Sequence, residues 1–245
     1  MKKKMFALLA LVLACFLTGC AGGERTGSEL TLEQLAVRMS LKELGEGDIA
    51  AYAPVMAEMH EDDFDDFVTK VMVETDKNTD WALLQTNFAH LGAEMEVPQR
   101  ATEEESEFFV LESFSIRRPD QNRVHLYFHV YSTWYDSIAG DVDLITLRFD
   151  PEKLEYYSSY NSDKYCSLNN SIGHGWGEIV FNYEDINATD PAPFDGDDRY
   201  GEVLVGIHLE PIADGEAAHS ATLKHDGGKE NFEITVEDTV LLHKD

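Results

Sequence analysis

The sequence predicts an α+β fold in which N-terminal helices pack on a mostly antiparallel sheet built from the C-terminal half. Three observations predict it. The apolar period changes near residue 100, from the three-to-four spacing of helices to the alternation of strands. The strand-like runs are separated by polar turns such as "RPDQNR" and "SIAGD", which suit antiparallel neighbours. The chain is 43% hydrophobic with 13 Phe, which excludes a disordered tail and suffices for a packed core.

The elements follow in order. Lys2, Lys3 and Lys4 open the chain, and Met5 to Leu17 carries no charge. A permanent membrane span needs about 20 apolar residues, so this run is too short for one. Its length and flanks are those of a secretory signal peptide, over residues 1–19. At its end, Leu17-Thr18-Gly19-Cys20 resembles the lipobox of bacterial lipoproteins. The resemblance implies cleavage before Cys20 and a diacylglyceryl group on its sulfur. Two acyl chains give stable attachment, at about 0.8 kcal/mol per buried methylene. Residues 20–29 then hold the lipidated Cys and a flexible tether, "AGGERTGS".

Residues 30–160 hold helices followed by antiparallel strands. Thr31 with Gln34 forms a capping box, and Leu32, Leu35 and Met39 share one helical face. "GEGD", Gly45 to Asp48, ends that helix and caps the next. Asp62 or Asp63 caps a third, with Phe64, Phe67, Val68, Val71 and Met72 on one stripe, and "DKNTD" breaks it. Leu84, Phe88, Leu91 and Met95 mark a fourth, which Gly92 stops. "LKELGEGDIAAYAPVM", Leu41 to Met56, resembles the opening of an NTF2-like (cystatin-like) cone. There a helix ends at a small-Gly-Asp turn, a second helix follows, and a bent sheet closes over both. The resemblance covers roughly Leu30 to Tyr160, and such a fold hosts both enzymes and binding modules.

In the strand half, Phe108, Val110, Phe114 and Ile116 fall on one side of a strand. Val124, Leu126, Phe128 and Val130 alternate with His125, Tyr127, His129 and Tyr131, the cleanest strand in the chain. Asp143, Ile145, Leu147 and Phe149 continue the pattern. Residues 161–245 hold further antiparallel strands, in the same domain or a small second one. They follow a Ser/Asn/Tyr-rich stretch from Tyr156 to Ser171 and comprise Ile179 to Tyr183, Val203 to Leu209 and Phe232 to Val236. A polar loop, "EDINATDPAPFDGDDRYG", separates the first two.

The formal net charge is −28, and loss of the three leading Lys makes the mature chain more acidic still. This excludes nucleic acid as a partner, because phosphate binding needs clustered Lys and Arg. It also keeps the folded part off an anionic lipid surface. Of three Cys, Cys15 lies in the signal segment and Cys20 takes lipid. Cys166 is left alone, so the mature chain forms no internal disulfide.

His125 and His129 share a strand face at roughly 13 Å separation, too far for one zinc ion. Two readings of that face stand side by side. It is an amphipathic sheet face, or it lines a pocket in which Tyr127, His129 and Trp134 bind a ligand. "GHGWGE", Gly173 to Glu178, is likewise a Gly-rich loop feeding a strand, or a contact loop in which Trp176 stacks and His174 donates. It is neither GxGxxG nor GxSxG. Asp190, Asp195, Asp197, Asp198 and Glu202 offer oxygens for Ca²⁺, but Arg199 and Tyr200 break the EF-hand spacing. "HEDDFDDF", His60 to Phe67, is not HExxH, and its acids suit a helix start.

No catalytic set stands out, and neither metal nor cofactor is expected. The sequence therefore predicts a protein lipid-anchored to the cell membrane through Cys20, on its extracytoplasmic face. There it acts as a non-catalytic binding module for an unidentified ligand or envelope protein. The alternatives are a calcium-dependent module and an envelope hydrolase with two carboxylates about 5–9.5 Å apart beside Trp134 or Trp176.

Overall fold

The computed structural model describes residues 30–40, 45–74, 80–96, 99–101, 109–118, 121–132, 143–162, 166–169, 176–183, 200–227 and 230–243. Among the described residues five helices come first: α1 (Leu32–Ser40), α2 (Glu46–Ala50), α3 (Ala53–Ala57), α4 (Glu61–Glu74) and α5 (Trp81–His90). Glu61, Asp62 and Asp63 fill the first turn of α4, where negative charge opposes the exposed N–H groups favourably. Asp80 caps α5, its Oδ1 accepting from the Leu83 N–H at 3.1 Å. In the segment that resembles an NTF2-like opening, residues 41–44 lie outside the described residues. Pro54 sits in the first turn of α3, where its missing N–H costs nothing.

Eleven strands follow among the described residues: β1 (Glu94–Met95), β2 (Gln99–Ala101), β3 (Phe109–Arg118), β4 (Arg123–Ser132), β5 (Asp143–Phe149), β6 (Leu154–Asn161), β7 (Cys166–Leu168), β8 (Glu178–Tyr183), β9 (Tyr200–Pro211), β10 (Gly215–Gly227) and β11 (Glu230–Leu242). They form two sheets. The first has the order β1-β3-β4-β9-β6, with β2 also beside β3; the second runs β11-β10-β5-β8-β7. Every pairing is antiparallel. Contacts of β11 with β2 and β3, of β10 with β3, and of β6 with β7 align the sheets face to face.

This overturns the expected α+β class. The molecule is mostly β, with two antiparallel sheets stacked on each other in place of the single expected sheet. The physical reason lies in β5 and β10. β4 and β5 are consecutive in the chain but do not pair: β4 lies between β3 and β9, while β5 lies between β10 and β8. β10 reads "GEAAHSATLKHDG", with few β-branched residues, and its small and polar side chains hid a 13-residue central strand. Strands from before and after residue 160 interleave in both sheets, and residues 32–245 form one unit.

Two apolar clusters result. Between the sheets, Leu126, Phe128, Val130, Val205 and Ile207 meet Ile145, Leu147, Phe181, Leu223 and Ile234. On the other face of the first sheet, Phe114, Ile116, Tyr127 and Leu204 meet the helices through Leu35, Met39, Phe64, Phe67, Val68 and Phe88. The first sheet is thus a middle layer, with both faces covered. That arrangement buries side chains such as His125 and His129, which simple alternation assigns to solvent. Among the described residues no helix is long and apolar enough to cross a membrane.

Candidate functional site

The face of the first sheet beneath the helices carries a row of polar residues. His125 on β4 lies directly opposite His208 on β9. His208 in turn faces Ser158 on β6, where a register shift after Tyr156 brings the serine into line. Two residues along β4, Tyr127 lies opposite Gly206. A Cβ at Gly206 would sit 3.0 Å from Tyr127 Cδ1, so glycine lets the phenol ring lie flat over β9.

Helix α4 places an acid above this row. Asp65 lies four residues after Glu61 and three before Val68, so it projects from the side of the helix that packs on the sheet. Asp65, His125 and His208 are all 0% exposed. The Tyr127 hydroxyl donates to Asp65 Oδ1 at 2.6 Å. His208 Nε2 lies 3.1 Å from Oδ1 and 2.9 Å from Oδ2. His125 Nδ1 lies 3.5 Å from Oδ1 and 3.3 Å from the Tyr127 hydroxyl. Behind His208, its Nδ1 is 2.6 Å from Ser158 Oγ. The two imidazole rings are 4.4 Å apart, and Phe64 covers His125 at 5.2 Å. The Arg118 guanidinium stacks 4.4 Å over Phe64 and donates to the carbonyls of Met56 and Met59. Asp65 Oδ2 and His125 Nε2 are buried without a hydrogen-bond partner among the described residues; Oδ2 is near His208 but off the N–H axis.

Burial disfavours an ionised Asp65, but hydrogen bonds from His125 and His208, with their charge, outweigh it and lower the pKa to about 2. Burial lowers His125 to about 4, against the hydrogen bond to Asp65 that favours its cation. Burial raises Tyr127 well above the ordinary phenol range, and the neighbouring carboxylate adds to that rise. At neutral pH the cluster therefore holds a carboxylate, a neutral imidazole at His125 and a protonated phenol.

Ser158, His208 and Asp65 form a hydrogen-bonded chain of the residue types that make acyl-transfer nucleophiles. Its layout does not suit that chemistry. The acid holds Nε2 and the serine Nδ1, and the imidazole is sealed from any acyl group that would have to reach it. The three ionisable groups instead point their ligand atoms at one another, all within 4.8 Å, the spacing of a set that can hold a cation. Two further acid–histidine pairs are buried: His129 with Glu112 at 3.2 Å and His225 with Asp143 at 2.8 Å.

The residues singled out from sequence separate. Tyr127 and His129 are buried, Tyr127 against Asp65 and His129 against Glu112, so neither lines an open pocket. Trp176 is 87% exposed at the entrance to β8. Gly177 seats it: its φ of +72° and a position only 2.3 Å from the Phe149 carbonyl oxygen for any Cβ demand glycine. Cys20, Trp134, His174, Asp190, Asp195, Asp197, Asp198 and the Glu202 side chain lie outside the described residues. Sequence reasoning missed Asp65, Ser158 and His208. Asp65 carried a signal, an acid within the spacing of an apolar stripe. His208 carried one too, as the polar partner in the alternation of β9.

No protein-family model and no curated relative matches the chain. Solved structures similar to it include the seventh ScaB type I cohesin from Pseudobacteroides cellulosolvens, at 15% identity and a TM-score of 0.33, covering 51% of this chain and 84% of that one. The collagen-binding domain of a Staphylococcus aureus adhesin gives 10% identity and a TM-score of 0.33, covering 56% and 99%. A cohesin module of a family 33 glycoside hydrolase from Clostridium perfringens gives 7% and 0.27, covering 59% and 93%. At these scores, what those proteins bind is a property of theirs alone.

Proposed function

We propose that this chain is a non-catalytic binding module, held at the extracytoplasmic face of a bacterial cell membrane by lipid on Cys20. One observation carries the non-catalytic part. Asp65 and His208, the pair best placed for acid–base chemistry, are wholly buried, whereas Trp176 stands 87% exposed on a fixed backbone mount. The Asp65–His208 pair faces inward, and the most exposed large apolar side chain among the described residues is the Trp176 indole, a group that supplies large contact area at interfaces. The anchor rests on the lipobox resemblance of Leu17 to Cys20 and the tether that follows. A net charge of −28 favours a cationic partner over an anionic one.

Mass spectrometry of protein from expressing bacterial cells tests the anchor. The expected product starts at Cys20 and carries a diacylglyceryl mass, and Cys20→Ser moves the protein out of the membrane fraction. An unmodified Cys20 with residues 1–19 still attached overturns the anchor. Screening against envelope glycans, esters and peptides tests the second half. Turnover abolished by one acid-to-amide substitution overturns the non-catalytic reading.

A further inference from the structure

We propose that Asp65, His125 and His208 bind one divalent transition-metal ion of the zinc class, and that this ion pins α4 to the first sheet. Among the described residues this is the one group of three such side chains whose ligand atoms lie within 4.8 Å of one another. The donors are two imidazole nitrogens and a carboxylate oxygen, a set suited to zinc and its neighbours and not to calcium or magnesium. Zinc bonds of about 2.0–2.1 Å place two tetrahedral ligands roughly 3.4 Å apart. The 3.5 Å between His125 Nδ1 and Asp65 Oδ1 matches that spacing, and the 3.1 Å between His208 Nε2 and the same oxygen needs only a small shift.

The surroundings orient the ligands. Ser158 Oγ, 2.6 Å from His208 Nδ1, occupies the outer nitrogen and turns Nε2 toward the acid. The Tyr127 hydroxyl fixes the carboxylate from Oδ1. His125 and His208 sit on paired strands at directly opposed positions, so their separation is set by the sheet and not by rotamers of a loop.

Charge supplies the second argument. A carboxylate in a dry site needs a cation close by. The hydrogen-bonding groups around Asp65 are Tyr127, His125 and His208, none a fixed positive charge. Arg118, the nearby guanidinium, is turned away onto Phe64 and two backbone carbonyls. Two imidazoles, one from β4 and one from β9, converge on this carboxylate.

The site is closed, so an ion enters as the chain folds. The full chain, untagged, is therefore unfolded in chelator and refolded in Zn²⁺ or Co²⁺, then desalted and assayed by elemental analysis. The expected result is one ion per chain. The Co²⁺ form should show visible d–d absorption, and Zn²⁺ should raise the melting temperature. Asp65→Asn and His208→Gln should each weaken binding at least tenfold, while His225→Gln, beside Asp143 and away from this cluster, should retain it. Wild-type protein that refolds without retaining metal and melts at the same temperature with and without Zn²⁺ overturns the proposal and leaves a hydrogen-bonded network. Full retention of metal by a folded Asp65→Asn/His208→Gln double variant overturns it as well, by placing the ion elsewhere. Neither result bears on Cys20 or Trp176, so the binding-module reading is tested separately.

Discussion

β4 and β9 bury two faces that differ in kind. Toward the second sheet they present Val124, Leu126, Phe128, Val130, Val203, Val205 and Ile207. Toward the helices they present His125, Tyr127, His129, Leu204 and His208, nearly as deeply buried. The first face stabilises the fold through area removed from water, and any well-fitting apolar side chain would serve. On the second, each polar group depends on a particular partner, because an orphaned buried donor or charge costs more than a formed hydrogen bond gains. Depth of burial alone does not say what a face is for; the demand for specific partners does.

Two truncations set the scale for that contrast. Phe128→Ala should cost about 3–5 kcal/mol by transfer and cavity terms. Asp65→Ala should cost a similar amount, about 3–5 kcal/mol, by stranding His125, His208 and Tyr127 without their acceptor. Urea titration of both measures this, and a loss under about 1 kcal/mol at Asp65 would put the two faces in one class.

Acid should separate them next. In chelator-treated protein the folded state takes up a proton at His125 only near pH 4, whereas the unfolded chain does so near pH 6.5. The stability from the neutral imidazole is thus fully present above pH 6.5 and is lost as pH falls toward 4, by roughly 2–4 kcal/mol. Asp65, lowered to about 2, adds a second loss between pH 3.8 and 2. Melting curves from pH 7 to 2 check this, and His125→Phe should flatten the upper window.

Smaller effects sharpen the picture. Tyr127→Phe removes a 2.6 Å bond to a carboxylate and should cost about 1.5–3 kcal/mol by urea titration. Gly206→Ala should cost about 1–2 kcal/mol, since the Tyr127 ring is held by Phe114 stacked at 5.2 Å and cannot swing aside. Pairing it with Tyr127→Ala in a double-mutant cycle should give less than the sum of the two. Trp176→Ala should change stability by less than about 0.5 kcal/mol, so any large loss there would mean that the indole is packed and not displayed.

Much of this was legible in the chain. α1, α4 and α5 announced themselves by apolar spacing, and β3, β4, β5, β8, β9 and β11 by alternation. β6 and β7 were hidden in the polar stretch from Tyr156 to Ser171, and β10 in a run of small residues, because their partners supply most of the buried surface. Alternation tells which residues share a face and not which strand lies beside it. It could not show that β5 leaves β4 for another sheet, and so the single-sheet expectation failed. The same limit hid the cluster: His125 was weighed against His129 along one strand, while its neighbour, His208, arrives across the ladder from β9. In the sequence Asp65 reads as one more helix-start acid, and only the packing of α4 separates it from Asp62 and Asp63.

The interleaving of strands has a consequence for how the chain is made. β3 and β4 can form a hairpin at once beside β1 and β2, yet the open edge of β4 waits for β9, at residues 200–211. β5 waits for both of its own, β8 and β10. During synthesis from the N-terminus, most of the ribbon carries an uncovered greasy side until the last quarter emerges, a period of exposure to aggregation and proteases. Shortening the chain before residue 200 removes β9 from between β4 and β6 in one layer and β10 and β11 from the other, so a single truncation strips strands from both layers together.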